Sequence, residues 1–202
     1  LDVRRPVIGE KLPENMDEHD LAVIYGGPPR ANDDRGDIKH EMGWISKVLE
    51  SNKPFLGICL GAQMLAKNLG GSVQKSHDLT LEIGFFDINP TGDGHKMFQS
   101  QKKFFQWHRE GFTVPKSCEI LAKGDLFREQ AFRFKNALAI QFHPEVNWKM
   151  HLRWLYYAGY MLKEKGAQNR REQLTHRLKH GKKINLWLDS FLDNYLLKDI
   201  NS

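Results

Sequence analysis

Apolar residues fall in short unbroken runs early in the chain and at helical spacing near its end. His19-Asp20-Leu21-Ala22-Val23-Ile24-Tyr25 is one such run, closed by Gly26-Gly27-Pro28-Pro29. That form suits a parallel strand covered on both faces. Between Asp33 and Asn52 the apolar positions are Ile38, Met42, Ile45, Val48 and Leu49, the spacing of an amphipathic helix. Lys53 to Ile58 predicts the next strand and Leu60 to Leu69 the next helix, with Gly70-Gly71 where a left-handed C-cap is wanted. Strand, helix, strand, helix in this order means βαβ units and a parallel sheet.

From Val73 to Phe142 the pattern changes. Leu81 to Ile88, Ile120 to Ala122, Ala131 to Phe134 and Leu138 to Phe142 are strand-like, with Gly and Pro between them at short intervals. They predict hairpins and one later strand of the main sheet. After Val146 the strand signals stop. Helical spacing covers Trp148 to Lys163 and Asn185 to Leu197, with a weaker pattern over Arg171 to Lys179. The reading is an α/β domain over residues 1–150 with a helical extension over 151–202 packed on the same domain. There is no internal repeat.

Composition changes this picture little. The 202 residues are 40% hydrophobic and 27% charged, values of an ordinary globular domain. The net charge of +5 is spread along the chain. Its densest stretch, Arg170 to Lys183, is interrupted by acidic and apolar residues and reads as a solvated helix face, so no nucleic-acid partner is expected. Two cysteines make no disulfide framework, and no apolar run is long enough to cross a membrane. With no secretory signal in view, the expected setting is the cytoplasm, with Cys59 a free thiol.

The chemistry begins at Gly57-Ile58-Cys59-Leu60-Gly61, where a strand runs into a helix. This is the pattern of a nucleophile elbow, a sharp turn that pushes one side chain out of the sheet edge. A thiol nucleophile needs a base and an orienter. Of nine histidines, His143 stands apart, because it directly follows the strand Leu138 to Phe142. Functional groups in a parallel sheet gather at strand carboxyl ends, so Cys59 and His143 belong to one edge. Pro144 holds His143 extended, and residues two apart in an extended segment share a side. Glu145 therefore reaches back to the His143 ring. Gly26-Gly27-Pro28 reads equally well as a source of oxyanion-binding N–H groups or as a plain turn. Cys118 has no base or glycine turn around it and reads as a small buried residue. The histidines show no metal-ligand spacing, and no phosphate loop is present, so no metal and no cofactor are expected.

Taken together, Gly26-Gly27-Pro28, Gly57-Ile58-Cys59-Leu60-Gly61-Ala62-Gln63 and Gln141-Phe142-His143-Pro144-Glu145 resemble a class I (triad-type) glutamine amidotransferase. Leu81-Glu82-Ile83-Gly84, Trp107-His108-Arg109-Glu110 and Gln130-Ala131-Phe132-Arg133 resemble the free-standing members similar to the glutaminase domain of GMP synthase. The resemblance covers about residues 1–200. It implies a three-layer, flavodoxin-like α/β fold with a parallel, mixed-edge sheet and helices on both faces. It implies Cys59 as nucleophile, His143 as base, Glu145 as orienter, oxyanion donors from the Gly27 region and Leu60, and a glutamine pocket lined by Gln63, Trp107 and His108. The reaction implied is glutamine amide hydrolysis through a γ-glutamyl thioester. The same triad would also serve a γ-glutamyl peptide or amide hydrolase, or a glutaminase activated by a separate ammonia-accepting synthetase. Family members usually open with a strand and helix ahead of the position of Leu1, so upstream residues are expected.

Overall fold

The computed structural model describes residues 1–197. In chain order its elements are β1 (Ala22–Ile24), α1 (Gly36–Glu50), β2 (Phe55–Ile58), α2 (Leu60–Asn68), β3 (Ser72–Lys75), β4 (Glu82–Asp87) and β5 (Asn89–Pro90). There follow α3 (Gly94–Met97), β6 (Lys103–His108), β7 (Glu110–Thr113), β8 (Glu119–Lys123), β9 (Glu129–Phe134), β10 (Ala137–Ile140), α4 (Trp148–Tyr157) and α5 (Arg170–Phe191).

Six strands form the central sheet in the order β1-β2-β10-β9-β8-β5. The β1–β2 and β2–β10 pairs are parallel, and the strands beyond β10 run antiparallel. Both faces of the parallel part are covered, which is why its strands read as unbroken apolar runs. Phe55, Ala137 and Ala139 pack with Ile38, Ile45 and Val48 of α1 and Leu65 of α2. Leu56, Ile58, Leu138 and Ile140 point the other way, into a cluster with Phe104, Phe105, Ile184, Trp187 and Phe191. The result is a three-layer α/β fold with a mixed sheet.

Four strands escape the apolar pattern: β3, the two-residue β5, β6 and β7. β3 pairs with β7 and buries only Val73 of its four residues, so its sequence carries almost no core signal. β6 pairs with β4 over Glu82↔His108 to Asp87↔Lys103. Its Lys-Phe-Phe-Gln-Trp-His sequence does not alternate, because Phe104, Phe105 and Gln106 are all buried.

The tail also differs from expectation. The helix over 148–163 breaks after Tyr157, and Gly159–Lys163 forms a 3-10 turn. The two helical patterns beyond it join in one 22-residue helix, α5, and the end of the second continues as a π-helical turn over Leu192–Leu196. Asn169 and Glu172 start it with a reciprocal capping box, satisfying two of the N–H groups a helix leaves orphaned. Gly181 sits inside it without ending it.

Candidate functional site

β2 gives way to α2 at Cys59, whose backbone angles are φ 52° and ψ −102°. A side chain costs energy in this left-handed region, and such strain persists only where the surroundings fix it. Here the Cys59 N–H donates to the Ile140 carbonyl at 2.8 Å, and its carbonyl accepts from Gln63 N–H at 3.0 Å. A Cβ at Gly61 would overlap the Ile24 carbonyl. The glycine lets α2 press against the end of β1, which aims Cys59 at the carboxyl edge of the sheet.

His143 follows β10 and is anchored by its own N–H, which donates to the Phe105 carbonyl at 2.8 Å. Its Nδ1 lies 2.7 Å from Glu145 Oε1, so that nitrogen is the donor. The ring is hydrogen-bonded to Glu145 on one side and lies beside Cys59, whose charge acts on it, making one file: carboxylate, imidazole, thiol. Trp154 stands edge-on to the ring at 5.0 Å. Burial works against charging His143, but the charges of Glu145 and Cys59 outweigh it and raise its pKa well above the ordinary value. The site thus favours the imidazolium, the partner that a thiolate needs.

The file opens onto a cavity of about 560 Å³. Gly26, Gly27 and Leu60 form one wall of it. Gly27 and Leu60 are neighbours, since a Cβ on Gly27 would lie 3.9 Å from Leu60 Cδ2. Leu60 opens α2, and the first N–H groups of a helix have no partner within it and carry its positive end. Gln63, Trp107 and His108 also line the cavity. Gln63 and His108 are tied into the framework. Gln63 Nε2 donates to the Glu110 carbonyl at 2.9 Å and to Gln141 Oε1 at 3.3 Å. Both ring nitrogens of His108 face acceptors, the Glu110 carbonyl on one side and Gln106 Oε1 and Glu82 Oε2 on the other.

The structure brings together every site residue expected from the sequence. It adds wall residues that sequence reasoning missed, among them Arg30, Arg109, Arg153, Trp154 and Tyr157. Trp154 and Tyr157 lie in an apolar pattern that reads as core packing, but in the fold both line the cavity, Tyr157 while still largely exposed. Cys118 is buried away from this edge, and burial pushes its thiol pKa up. Among the described residues, no group of three or more His, Cys, Asp or Glu side chains could hold a metal ion. No described helix is long and apolar enough to cross a membrane.

The model of the family described as glutamine amidotransferase class-I matches residues 6–156. The chain is 30% identical over 152 residues to the glutamine amidotransferase-like protein YfeJ of Salmonella typhimurium, covering 70% of this chain and 63% of that relative, so it spans a little under two thirds of YfeJ. It is 32% identical over 143 residues to a subunit of the glutamine-hydrolyzing GMP synthase of Sulfolobus acidocaldarius, covering 68% of this chain and 73% of that one. Among solved structures, a glutamine amidotransferase from Thermotoga maritima superposes with a TM-score of 0.86 at 30% identity, over 96% of this chain and 86% of that one. A glutamine amidotransferase from Methylobacillus flagellatus, at 23% identity and a TM-score of 0.86, covers 94% of this chain and 81% of that one and shares the fold.

Proposed function

The chain belongs to the class I glutamine amidotransferase family, and on that premise we propose that it hydrolyses the side-chain amide of glutamine through a cysteinyl thioester. One observation carries this reading: His143, hydrogen-bonded to Glu145 at 2.7 Å, stands beside Cys59 on the wall of the cavity. The Cys59 thiolate attacks the amide carbon, and the N–H groups of Gly27 and Leu60 stabilise the developing oxyanion. As the C–N bond breaks, His143 gives its proton to the leaving nitrogen, which departs as ammonia. Water then attacks the γ-glutamyl thioester. His143 takes a proton from that water, glutamate leaves, and the thiolate is restored. Glu145 holds the ring in the tautomer that serves both steps.

The test is ammonia release from glutamine by the wild type and by Cys59→Ala. The variant is expected to lose the activity while keeping its fold, and equal rates would remove Cys59 from the mechanism. The likeness to a GMP synthase subunit supports a further element, a separate synthetase that consumes the ammonia. Co-purification or activation by a synthetase partner would test that element.

The shape of the cavity favours a second reading. Its volume of about 560 Å³ extends from Cys59 past Arg109, Arg153 and Tyr160, within the range of pockets that hold ligands larger than one amino acid. A γ-glutamyl peptide or amide would fill it, with the arginines facing its far end. A kcat/KM for γ-glutamyl dipeptides far above that for glutamine would favour this substrate. The reverse order would return the site to glutamine.

A further inference from the structure

Helix α5 lies beyond residues 6–156, the segment that matches the family model, yet one of its side chains reaches the loop that carries His143 and Glu145. Arg177 is 2% exposed. Its Nη1 donates to the Val146 carbonyl at 2.7 Å, one residue past Glu145. Its Nε donates to Nδ1 of His151 at 3.3 Å, and its guanidinium carbon lies 5.0 and 5.1 Å from the ring centres of Phe85 and Phe105. Phe105 is the residue whose carbonyl anchors His143. Among the described residues, Arg177 Nη2 and Glu145 Oε2 are both buried without a hydrogen-bond partner.

Fully buried arginines are rare, because desolvating the charge costs several kcal/mol unless it is compensated. Here compensation comes from the Val146 carbonyl, two ring faces and the Glu145 carboxylate. Burial pulls the Arg177 pKa down, and Glu145 opposes that fall. Gly181 explains how the side chain fits. A Cβ there would lie 3.2 Å from Arg177 Cδ, so a residue that ordinarily weakens a helix interior leaves the arginine its path.

We propose that Arg177 is a positioning residue for the Cys59–His143–Glu145 set, clamping the Val146 peptide and lending its charge to the Glu145 carboxylate, so that α5 holds the acid–base loop in place. The proposal rests on the mechanism given above. The ionisable groups facing His143 and Glu145 are Cys59 on the elbow, Tyr25 after β1, and Arg177 of α5 with His151 of α4 against it.

The experiment measures kcat and KM for glutamine against pH. In parallel it measures the pH dependence of Cys59 alkylation by iodoacetamide, read by peptide mass so that Cys118 is counted apart. Arg177→Met is expected to lower kcat by roughly 10- to 100-fold with KM changed less than about threefold. Without the guanidinium charge, Glu145 favours the imidazolium more strongly. The limb on which kcat and alkylation change at high pH therefore moves upward, and Arg177→Lys moves it back. A purely structural arginine would lower stability and leave both profiles where they are, and that result in folded Arg177→Met overturns the proposal. Should Arg177→Met fail to fold, Gly181→Ala decides, because it strengthens the helix while crowding Arg177. A fall in kcat at undiminished melting temperature supports the clamp, and an unchanged kcat overturns it. A wild type that does not hydrolyse glutamine but whose Cys59 alkylation still depends on Arg177 would sink the substrate reading and keep the clamp.

Discussion

Gly26 and His143 are packed so closely that a Cβ on Gly26 would lie 2.7 Å from Cε1 of the imidazole and 3.2 Å from Cβ of Cys59. The glycine lets the backbone after β1 close over the thiol and its base at once. Gly26→Ala is expected to cut kcat by about 100-fold, the scale of an ångström-sized misplacement of reacting groups. The fold should survive, because Gly26 is at the cavity wall and not in the sheet. Steady-state kinetics beside a thermal melt checks this, and an alanine variant with near wild-type kcat would mean that the imidazole has another place to go.

Glu145→Gln keeps the shape of the side chain and removes its charge. His143 then loses the largest of the influences that raise its pKa, which stands at about 10 with the carboxylate in place. The sign follows directly. With the carboxylate, the imidazolium persists until pH rises through about 10; without it, protonation is lost at lower pH. The high-pH limb of the kcat profile should move down, and kcat at its maximum should fall by roughly 10- to 100-fold, since the neutral amide still orients the ring but stabilises its charge poorly. A profile that keeps its high-pH limb would assign that limb to another group.

The elbow and the acid–base loop were legible because each follows an apolar run directly and each depends on local chemistry. Gly61 must clear the Ile24 carbonyl, and Pro144 opens a turn with Glu145, where an extended segment was expected, that still brings the carboxylate to the His143 ring. Both features are written into adjacent residues. The β3–β7 ladder was not legible, because three of the four β3 residues face solvent and pairing with Thr113 to Glu110 is a long-range event. The join of the two tail patterns into α5 was hidden for another reason. Between Lys179 and Asn185 the chain reads His180-Gly181-Lys182-Lys183-Ile184, which offers one apolar position and so no visible helical stripe. The cavity wall supplied by α4 was hidden too, since an apolar spacing does not say whether a tryptophan meets core or substrate.

His151 makes a prediction about acid stability. It is 0% exposed. Its Nε2 lies 3.1 Å from Gln173 Oε1 and its Nδ1 accepts from Arg177, so both nitrogens are satisfied by the neutral ring. Burial, with the Arg177 charge in support, depresses its pKa from 6.5 to about 4. Between those values the unfolded chain binds a proton that the folded one refuses, so stability falls as pH drops from 6.5 towards 4. The loss is on the order of 3 kcal/mol over the whole window. Urea unfolding at a series of pH values should show that slope in the wild type and a flatter one in His151→Gln. Parallel slopes would place the acid sensitivity elsewhere.

Trp187 tests how firmly α5 is tied to the sheet layer. Its indole stacks on Phe191 at 4.8 Å and on Phe98 at 5.4 Å, meets Phe104 edge-on at 4.7 Å, and donates from Nε1 to the Met97 carbonyl at 2.8 Å. Removing the ring leaves a cavity and an orphaned carbonyl together. Trp187→Ala should therefore cost about 3–5 kcal/mol in urea unfolding. Trp187→Phe keeps most of the ring contact and gives up the hydrogen bond, with an expected loss of about 1–3 kcal/mol. The two variants separate packing from polar satisfaction, and equal losses would mean that the hydrogen bond carries the whole effect. Because the Arg177 clamp lies about three turns earlier on the same helix, the phenylalanine variant should keep its kcat. A fall in kcat from this milder change would mean that the whole length of α5, and not Arg177 alone, sets the position of the His143 loop.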